Sequence, residues 1–418
     1  MKAIVLGAGV VGTASAWFLA KQGHEVIVID RQPAAALETS FANGGQLSVS
    51  HAEPWANPSA PLKVLKWLAK EDAPLLFRLR ADLEQWRWCL GFLRECMPAR
   101  TRHNIGQIVR LGLYSRRMLG EVLAETGIEF DHERRGILHF YTSKEEFDAA
   151  QEPARVMREL GCELVMKTPD ECVAIEPALA AARDRIVGGS MTSSDGSGDA
   201  HLFTHRLAAA CAQRGVTFLY GTTVEQIVVE RGGFAGVKVR REGAAQTILG
   251  DVCVLSLGSF SARMAAPLGL RLPIYPAKGY SLTMPVADPA RAYRVSLTDD
   301  EYKLVFSRLG DRLRVAGTCE LNGYDTVLNP VRCAALLRRT EELFPGAGDA
   351  SRVQYWTGLR PATPSNVPCI GTTGCRKLYV NTGHGTLGWT HACGSGRAIA
   401  DIISGRRPEV DFAFAGGG

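Results

Sequence analysis

Three glycines near the start of the chain have the spacing of a phosphate-binding turn. Gly7, Gly9 and Gly12 follow an apolar run, and a second apolar run ends on Asp30. In a G-x-G-x-x-G motif the first glycine permits a tight turn and the second lets the backbone approach a pyrophosphate. The third lets a helix pack closely on a strand, and an acid after the second strand binds a ribose hydroxyl. The pattern predicts a βαβ unit that binds the adenosine end of a dinucleotide.

The same stretch also fits a signal sequence or a membrane span, because no charged residue lies between Lys2 and Lys21. Two features favour the nucleotide-binding turn besides the glycine spacing. Gly23 is placed to end a helix that begins near Val10, and a strand pattern resumes from Val26 to Ile29.

A second glycine-rich turn lies near the other end of the chain. A predicted strand at 377–381 leads into Thr382-Gly-His-Gly385 and then into a predicted helix at 386–404. Backbone N–H groups at the start of a helix carry partial positive charge and can stabilise an anion. A reduced flavin carries negative charge over N1 and its neighbouring carbonyl, whereas a nicotinamide enzyme has no use for this second turn. The pair of turns indicates FAD; an ordinary turn between a strand and a helix is the alternative.

Arg360 is the candidate for binding a substrate carboxylate. It lies in a proline-stiffened stretch, and a guanidinium can donate two parallel hydrogen bonds to a carboxylate while remaining charged at any working pH. Tyr280 and Tyr302 begin predicted strands and could add hydroxyl donors over the substrate. These three residues are the predicted catalytic set, against the alternatives of a surface ion pair and of core packing. His384, between two glycines, is expected near the cofactor and not as a general base.

Composition limits the class of protein. The chain has 418 residues, of which 46% are hydrophobic and 22% charged, so it can bury a large core and is expected to form two domains. A net charge of +5, with no basic run interleaved with aromatic residues, argues against a nucleic-acid partner. The eleven cysteines are scattered without a Cys-x-x-Cys pair, which argues against a zinc site or a disulfide framework and favours a reducing compartment.

The order of predicted elements indicates an α/β protein: a Rossmann-like FAD-binding domain with a second, substrate domain built on a mixed or antiparallel sheet with helices. Residues 38–50 are a predicted loop, 61–123 and 145–160 are predicted to be helical, and 274–318 shows the alternation of an antiparallel sheet. The predicted domain bounds are 1–58, 185–265 and 350–410 for the FAD-binding domain, 59–184 and 266–349 for the substrate domain, and 411–418 for a tail.

The segment 62–94 is basic and rich in tryptophan. It fits a folded helical region with core tryptophans, which we favour, or a surface that lies on a membrane or against an electron-accepting partner.

Longer motifs give the chain a family resemblance. They are Gly7-Ala-Gly-Val-Val-Gly12, Glu38-Thr-Ser-Phe-Ala-Asn-Gly-Gly-Gln46, Pro276-Ala-Lys-Gly-Tyr-Ser-Leu-Thr283, Tyr355-Trp-Thr-Gly-Leu-Arg-Pro361 and Asn381-Thr-Gly-His-Gly-Thr-Leu-Gly-Trp-Thr390. From residue 1 to about residue 407 the chain resembles the bacterial D-amino-acid dehydrogenases, within the FAD-dependent amine oxidoreductases that include D-amino-acid oxidase and glycine oxidase. One departure is Ser365-Asn366, where relatives commonly carry Asp-Gly after Thr-Pro.

The resemblance implies that Arg360 holds the substrate carboxylate while a hydride passes from the α-carbon to flavin N5. A D-amino acid such as D-alanine would become a 2-oxo acid and ammonia, and the electrons would pass to a quinone or another respiratory acceptor. It further implies a cytoplasmic enzyme, loosely associated with the inner face of the bacterial inner membrane. The preferred D-amino acid and the oligomeric state are left open.

Other functions remain open at this point. The carboxylate site would equally serve an FAD-dependent oxidase or dehydrogenase of glycine, N-methyl amino acids or D-proline derivatives. A nicotinamide-dependent dehydrogenase and a non-enzymatic nucleotide-binding protein are the alternatives from other classes.

The predicted cofactor-binding residues come from several parts of the chain. They are Ala3, Ile4, Val5, Leu6, Gly7, Ala8, Gly9, Val10, Val11, Gly12, Asp30, Arg31, Ser40, Asn43, Gly44, Gly45, Gln46, Val224, Gly258, Gly383, Gly385, Thr386, Leu387, Gly388 and Trp389.

Overall fold

A six-stranded sheet carries the nucleotide-binding unit in the computed structural model, which describes residues 1–67, 71 and 73–416. Five strands are parallel, and the edge strand Cys369–Thr372 is antiparallel to its neighbour. In spatial order the strands are Cys369–Thr372, Leu378–Thr382, Val252–Leu255, Lys2–Leu6, Glu25–Ile29 and Thr217–Leu219. The predicted strand, turn, helix and strand at the start of the chain are confirmed.

Three helices cover one face of this sheet: Val10–Lys21, Gly388–Ile403 and Ala200–Gln213. The first two pack closely because Gly396 lacks a Cβ, which would lie 2.8 Å from the carbonyl carbon of Ala14. The opposite face packs on a three-stranded antiparallel sheet formed by Thr222–Glu230, Gly233–Arg241 and Ala244–Leu249. The sheet therefore has both faces covered, as expected of parallel strands without polar alternation.

A second, nine-stranded sheet forms the other half of the molecule. Its spatial order is Gln354–Ala362, Tyr275–Pro285, Arg312–Leu321, Leu304–Leu309, Ser296–Asp299, Ile137–Tyr141, Gly188–Thr192 and Leu164–Lys167, with Leu75–Phe77 paired to Arg312–Leu321. Most pairs are antiparallel, but Ser296–Asp299 runs parallel to Ile137–Tyr141. This confirms the predicted mixed sheet.

The remaining helices are divided between the two halves: Pro98–Thr126 packs on Gly388–Ile403, whereas Pro330–Leu343 packs on the nine-stranded sheet. They are Ala60–Trp67, Leu83–Glu95, Pro98–Thr126, Lys144–Ala149, Gln151–Glu159, Pro169–Ile175, Ser261–Ala265 and Pro330–Leu343, with short 3₁₀ helices at Pro177–Arg185, Gly258–Phe260, Ala266–Leu268 and Ala350–Arg352. The predicted loop 38–50 contains the short strand Gln46–Leu47, which pairs with Gly196–Ser197. The helix predicted at 145–160 is two helices that meet at Ala150.

The domain bounds stay a prediction. Every strand of the six-stranded sheet falls within 1–58, 185–265 and 350–410, but Gly188–Thr192 and Gln354–Ala362 also fall there and pair in the nine-stranded sheet. In the tail, Phe412 is buried against the core, and the Ala415 N–H donates to the Ile370 carbonyl over 2.7 Å. Residues 417–418 of the predicted tail and 68–70 and 72 of segment 62–94 lie outside the described residues.

Candidate active site

One cavity of about 1450 Å³ lies between the two large sheets, and both glycine turns line it. Gly9 and Asp30 line it from the first turn, and residues 384–390 line it from the last. Arg360 and Tyr280 line it from the nine-stranded sheet. The fold thus brings the two ends of the chain and the predicted carboxylate site together.

The glycines of the first turn have different neighbours. Gly7 has φ +103°, and a Cβ on Gly12 would lie 1.9 Å from the Gly7 carbonyl oxygen, so the turn itself requires both. Gly9 is different, because its Cβ would meet only the Ser40 hydroxyl, at 3.6 Å. Its open side faces the cavity, where the motif places a pyrophosphate.

The Asp30 carboxylate is fixed by the backbone of the turn. It accepts hydrogen bonds from the Ala8 N–H over 2.6 Å and from the Gln32 N–H over 2.8 Å. Burial raises the pKa of Asp30. Beside it, the Arg31 side chain donates to Glu38 over 2.6 Å and lies 4.1 Å from the centre of the Phe260 ring. The Ala8 and Gln32 N–H groups thus occupy two lone-pair sites of the Asp30 carboxylate, which leaves the others for a ribose hydroxyl.

Two helices begin at the cavity without a side-chain cap from their own N-cap residues. These are Val10–Lys21, preceded by Gly9, and Gly388–Ile403, preceded by Leu387. The Val10 N–H donates to the Ser40 hydroxyl over 3.1 Å. Two positive helix ends that open into one cavity match a ligand with a pyrophosphate and a second anionic group, which fits FAD.

Several other predicted cofactor-binding residues line the cavity. They are Gly7, Val11, Asn43, Gly44, Gly45, Gln46, Val224, Gly258, Gly385, Thr386, Gly388 and Trp389. The Gln46 amide donates to the Ser296 hydroxyl over 3.1 Å and ties this loop to the nine-stranded sheet.

The structure does not bring the rest of that predicted set to the cavity wall: Ala3, Ile4, Val5, Leu6, Ala8, Gly12 and Gly383. The side chains of residues 3–6 are fully buried in the sheet core. A Cβ on Gly383 would lie 2.9 Å from the Thr363 side chain, so this glycine packs against protein. These residues position the turns and do not line the ligand space.

The Arg360 guanidinium lies flat on Gly279 of the neighbouring strand. It donates to the Thr318 carbonyl over 2.8 Å, and a Cβ on Gly279 would lie 2.3 Å from its Cζ. Burial lowers the pKa of Arg360. Among the described residues no carboxylate pairs with the Arg360 guanidinium. This cation lies at the cavity wall and lacks an anionic partner.

The two predicted tyrosines are not placed as expected. Tyr280 is a lining residue, but its side chain is buried in the core of the nine-stranded sheet and its hydroxyl donates to Glu320 over 2.5 Å. Burial and this bond raise the pKa of Tyr280 well above its usual value. Tyr302 lies outside the cavity lining, 41% exposed, with its ring 3.9 Å from the Arg339 guanidinium. It belongs to the turn before Leu304–Leu309, because its N–H donates to Asp299, and not to the strand itself. The geometry gives neither hydroxyl a place facing the cavity, and a role for them at the substrate stays a prediction.

His384 lines the cavity as a buried imidazole whose Nε2 has no hydrogen-bond partner among the described side chains. Burial lowers the pKa of His384 to about 3, so the ring is neutral. Nearby, the Ser365-Asn366 departure keeps the turn. Asn366 adopts φ +59°, which asparagine tolerates, and its side chain accepts from the Trp55 N–H over 3.0 Å.

Sequence analysis missed a group of polar residues at the cavity wall: His51, Glu53, His139, Asp300 and Lys303. His139 Nδ1 lies 3.0 Å from Asp300, whose other oxygen accepts from Lys303 over 3.1 Å. Burial lowers the pKa of His51 to about 4. Although burial opposes it, Lys303 and His139 hold the pKa of Asp300 well below its usual range. The one local hint was the acid pair Asp299-Asp300 at the end of a strand.

Comparisons with known proteins agree with this geometry. Residues 2–402 match the family model described as DAO, FAD dependent oxidoreductase. The chain is 57% identical to the D-amino acid dehydrogenase of Dechloromonas aromatica, over 99% of both chains. It is 54% identical to that of Paramagnetospirillum magneticum, over 99% of this chain and 97% of the relative. A glycine oxidase structure from Geobacillus kaustophilus shares the fold, with a TM-score of 0.77 and 22% identity over 98% of this chain and 96% of the other.

Proposed function

The chain belongs to the DAO family of FAD-dependent oxidoreductases, and we propose that it is a D-amino acid dehydrogenase whose substrate carboxylate binds to Arg360. The observation that carries this proposal is the Arg360 guanidinium, which faces the cavity without a carboxylate partner among the described residues. A bidentate contact with the α-carboxylate would satisfy it. The names of the two relatives supply the substrate class.

FAD would bind along the cavity in an extended form. Gly7, Gly9 and Asp30 would hold its adenosine end, and the start of the helix Gly388–Ile403 would lie at its flavin end. When bound, FAD supplies the acceptor for the hydride that leaves the substrate α-carbon. The positive end of that helix would stabilise negative charge on the reduced ring.

The residues of the cavity contribute orientation more than acid–base chemistry. Arg360 would fix the carboxylate, while the Tyr280 hydroxyl is held by Glu320 within the nine-stranded sheet. The neutral imidazole of His384 cannot repel a cation at neutral pH. With the amine in its neutral form, nitrogen supplies the electron pair as hydride leaves, so no strong protein base is needed. The imino acid then takes up water and gives a 2-oxo acid and ammonia.

An apolar stripe beside the cavity suggests how electrons leave. The helix Leu83–Glu95 and its flanks expose apolar side chains along one side: Leu79, Leu83, Trp86, Leu90, Leu93 and Met97. Of these, Leu79, Trp86 and Leu93 also line the cavity, and Arg87 and Arg94 lie beside them on the helix. Within the described ranges no helix is both long and apolar enough to span a bilayer.

We therefore propose that this stripe rests on the anionic inner face of a bacterial membrane, which would give a lipid-soluble quinone access to the cavity. The test is sedimentation with phosphatidylglycerol vesicles. Trp86→Glu with Leu90→Glu should reduce the bound fraction, whereas Leu249→Glu, an exposed leucine on the three-stranded sheet, should not. Equal binding of both variants would contradict the role of the stripe.

The proposed activity is tested by anaerobic mixing of the purified protein with D- and L-amino acids, glycine, sarcosine and D-proline, while flavin absorbance is followed. Bleaching by D-amino acids alone is expected. Preferential bleaching by glycine or sarcosine would favour an oxidoreductase for those substrates, and no bleaching by any amine would contradict the proposal. A protein without flavin absorbance would contradict the cofactor assignment at this site.

A further inference from the structure

The cavity extends beyond Arg360 into a polar lobe that a small substrate would not fill. We define the lobe by His51, Glu53, His139, Asp300 and Lys303, all of which line the same cavity as Arg360. Tyr141 and Ser190 continue the wall beyond them. The proposed reaction at the α-carbon uses none of these groups.

Strand pairing gives the distance between Arg360 and the lobe. The guanidinium reaches the carbonyls of Gly317 and Thr318, and Gly317 is paired with Leu304, which is paired with Asp299. Asp300 follows directly. Two strand-to-strand steps separate these points, or about 10 Å. A substrate carboxylate at Arg360 and a side chain with a four-carbon stem can bridge that distance.

The carboxylates at the lobe differ in whether they make an ion pair. Lys303 and His139 both bind Asp300, and Lys63 pairs with Glu146 over 2.7 Å at the same part of the wall. Glu53 accepts a hydrogen bond from the Asn57 amide over 3.0 Å, but no cation pairs with it among the described residues. The surrounding protein raises the pKa of Glu53 and the charges of Lys303 and Lys63 lower it, while the residue itself stays exposed at the cavity wall. Lys63 and Lys303 each pair with another carboxylate, so Glu53 is the carboxylate of the lobe that makes no ion pair among the described residues.

We propose that the polar lobe binds the side chain of the substrate and that Glu53 is a specificity-determining residue for D-amino acids with a cationic side chain, such as D-lysine. This inference rests on the proposed function, because it assumes that the α-carboxylate lies at Arg360. An ammonium group on the substrate side chain would form an ion pair with Glu53. Asp300 and Lys303 already pair with each other and so need no charged group from the substrate. An acidic side chain would meet Glu53 and Asp300 as like charges.

The test compares D-lysine with D-norleucine, which has the same length of stem but no charge, and with D-glutamate. In the wild-type holoenzyme we expect kcat/KM for D-lysine to exceed that for D-norleucine by roughly tenfold or more, since a hydrogen bond to a charged group has this worth. D-glutamate should be the poorest of the three. A preference for D-norleucine or D-glutamate over D-lysine would overturn the inference without any variant.

Two variants locate the effect. Glu53→Gln keeps the shape of the side chain and should bring the D-lysine to D-norleucine ratio close to one, mainly through KM for D-lysine. Glu301→Gln removes the same charge from an exposed residue that does not line the cavity, and should leave the ratio unchanged. A ratio that survives Glu53→Gln, or that falls equally in both variants, would overturn the assignment to Glu53.

Failure of this inference is distinguishable from failure of the proposed function. If D-alanine bleaches the flavin while the D-lysine to D-norleucine ratio is near one, the proposed function stands and the polar lobe is not a side-chain site. If no D-amino acid bleaches the flavin, the proposed function itself fails.

Discussion

The two ends of the cavity are lined by different parts of the chain. At the proposed nucleotide end the backbone forms much of the wall, through Gly7, Gly9 and the start of the helix Val10–Lys21. At the proposed substrate end the wall includes charged side chains, of which Arg360 and Glu53 make no ion pair among the described residues. The first end depends on the absence of Cβ atoms, and the second depends on particular charged groups.

This difference predicts two kinds of failure. A substitution in the glycine turn should disturb the fold where a Cβ would meet the backbone, as at Gly12, or exclude the cofactor where it would enter the cavity, as at Gly9. A substitution at the substrate end should leave the cofactor bound and change rates alone. The predictions below test that separation.

The largest effect is expected at Gly12. A Cβ there would lie 1.9 Å from the Gly7 carbonyl oxygen, so Gly12→Ala should destabilise the protein by about 3 kcal/mol and abolish FAD binding. Gly9→Ala should leave the stability of the apoprotein within about 1 kcal/mol of wild type and still weaken FAD binding, since its open side faces the cavity. Thermal melting of the apoproteins and flavin content measure the two effects. Identical behaviour of the two variants would break the distinction between a fold glycine and a ligand glycine.

Arg360→Ala should keep FAD and lose substrate. Removing one partner of a buried charge pair costs about 3 kcal/mol, so kcat/KM for D-alanine should fall roughly a hundredfold or more, mainly through KM. Arg308→Ala is the control, because Arg308 belongs to the same sheet but does not line the cavity. Loss of flavin from Arg360→Ala would show that the two ends are not separable.

Gly279→Ala should have a smaller effect through the same arginine. Its Cβ would lie 2.3 Å from the Arg360 Cζ and must displace the guanidinium, so we expect kcat/KM for D-alanine to fall about tenfold. The variant combined with Arg360→Ala should be no slower than Arg360→Ala alone, because the group nearest to the new Cβ is already absent. Additive losses in the double variant would contradict this contact.

The glycine turn could be predicted from the sequence, whereas most of the side chains at the proposed substrate end could not. The glycine turn depends on residues close together in the chain, and its geometry leaves a local pattern at Gly7, Gly9 and Gly12. Arg360 was found through the stiff segment around it. Glu53 and Asp300 come from a loop and a strand end far apart in the chain, and no local spacing joins them.

Tyr280 and Tyr302 show a second limit of prediction from the sequence, which is the contacts that side chains make across a sheet. Tyr280 and Tyr302 were assigned by strand position, but a tyrosine hydroxyl takes whichever partner the folded sheet provides. For Tyr280 that partner is Glu320, on the adjacent strand, and for Tyr302 the adjacent group is Arg339 on a helix. Pairing between strands decides such contacts, and the sequence alone does not give that register.

The smallest effect concerns a buried imidazole in the helix that begins at the flavin end. Burial lowers the pKa of His391 to about 4 from an ordinary 6.5, against an opposing effect of the Ile108 backbone, and no described side chain bonds to either ring nitrogen. The unfolded chain therefore binds a proton that the folded chain does not, and the free energy of unfolding should fall as the pH drops from 6.5 towards 4. The melting temperature of His391→Met should lose part of this dependence between neutral pH and about pH 5. An unchanged dependence would contradict a buried neutral imidazole.

The most direct test of the central claim compares D-alanine with D-alaninamide, which lacks the carboxylate, as reductants of the flavin under anaerobic conditions. If Arg360 binds the carboxylate, wild type should prefer D-alanine by roughly a hundredfold, and Arg360→Ala should lose nearly all of that preference while reacting with D-alaninamide much as wild type does. The same preference in both proteins would contradict the assignment of the substrate carboxylate to Arg360.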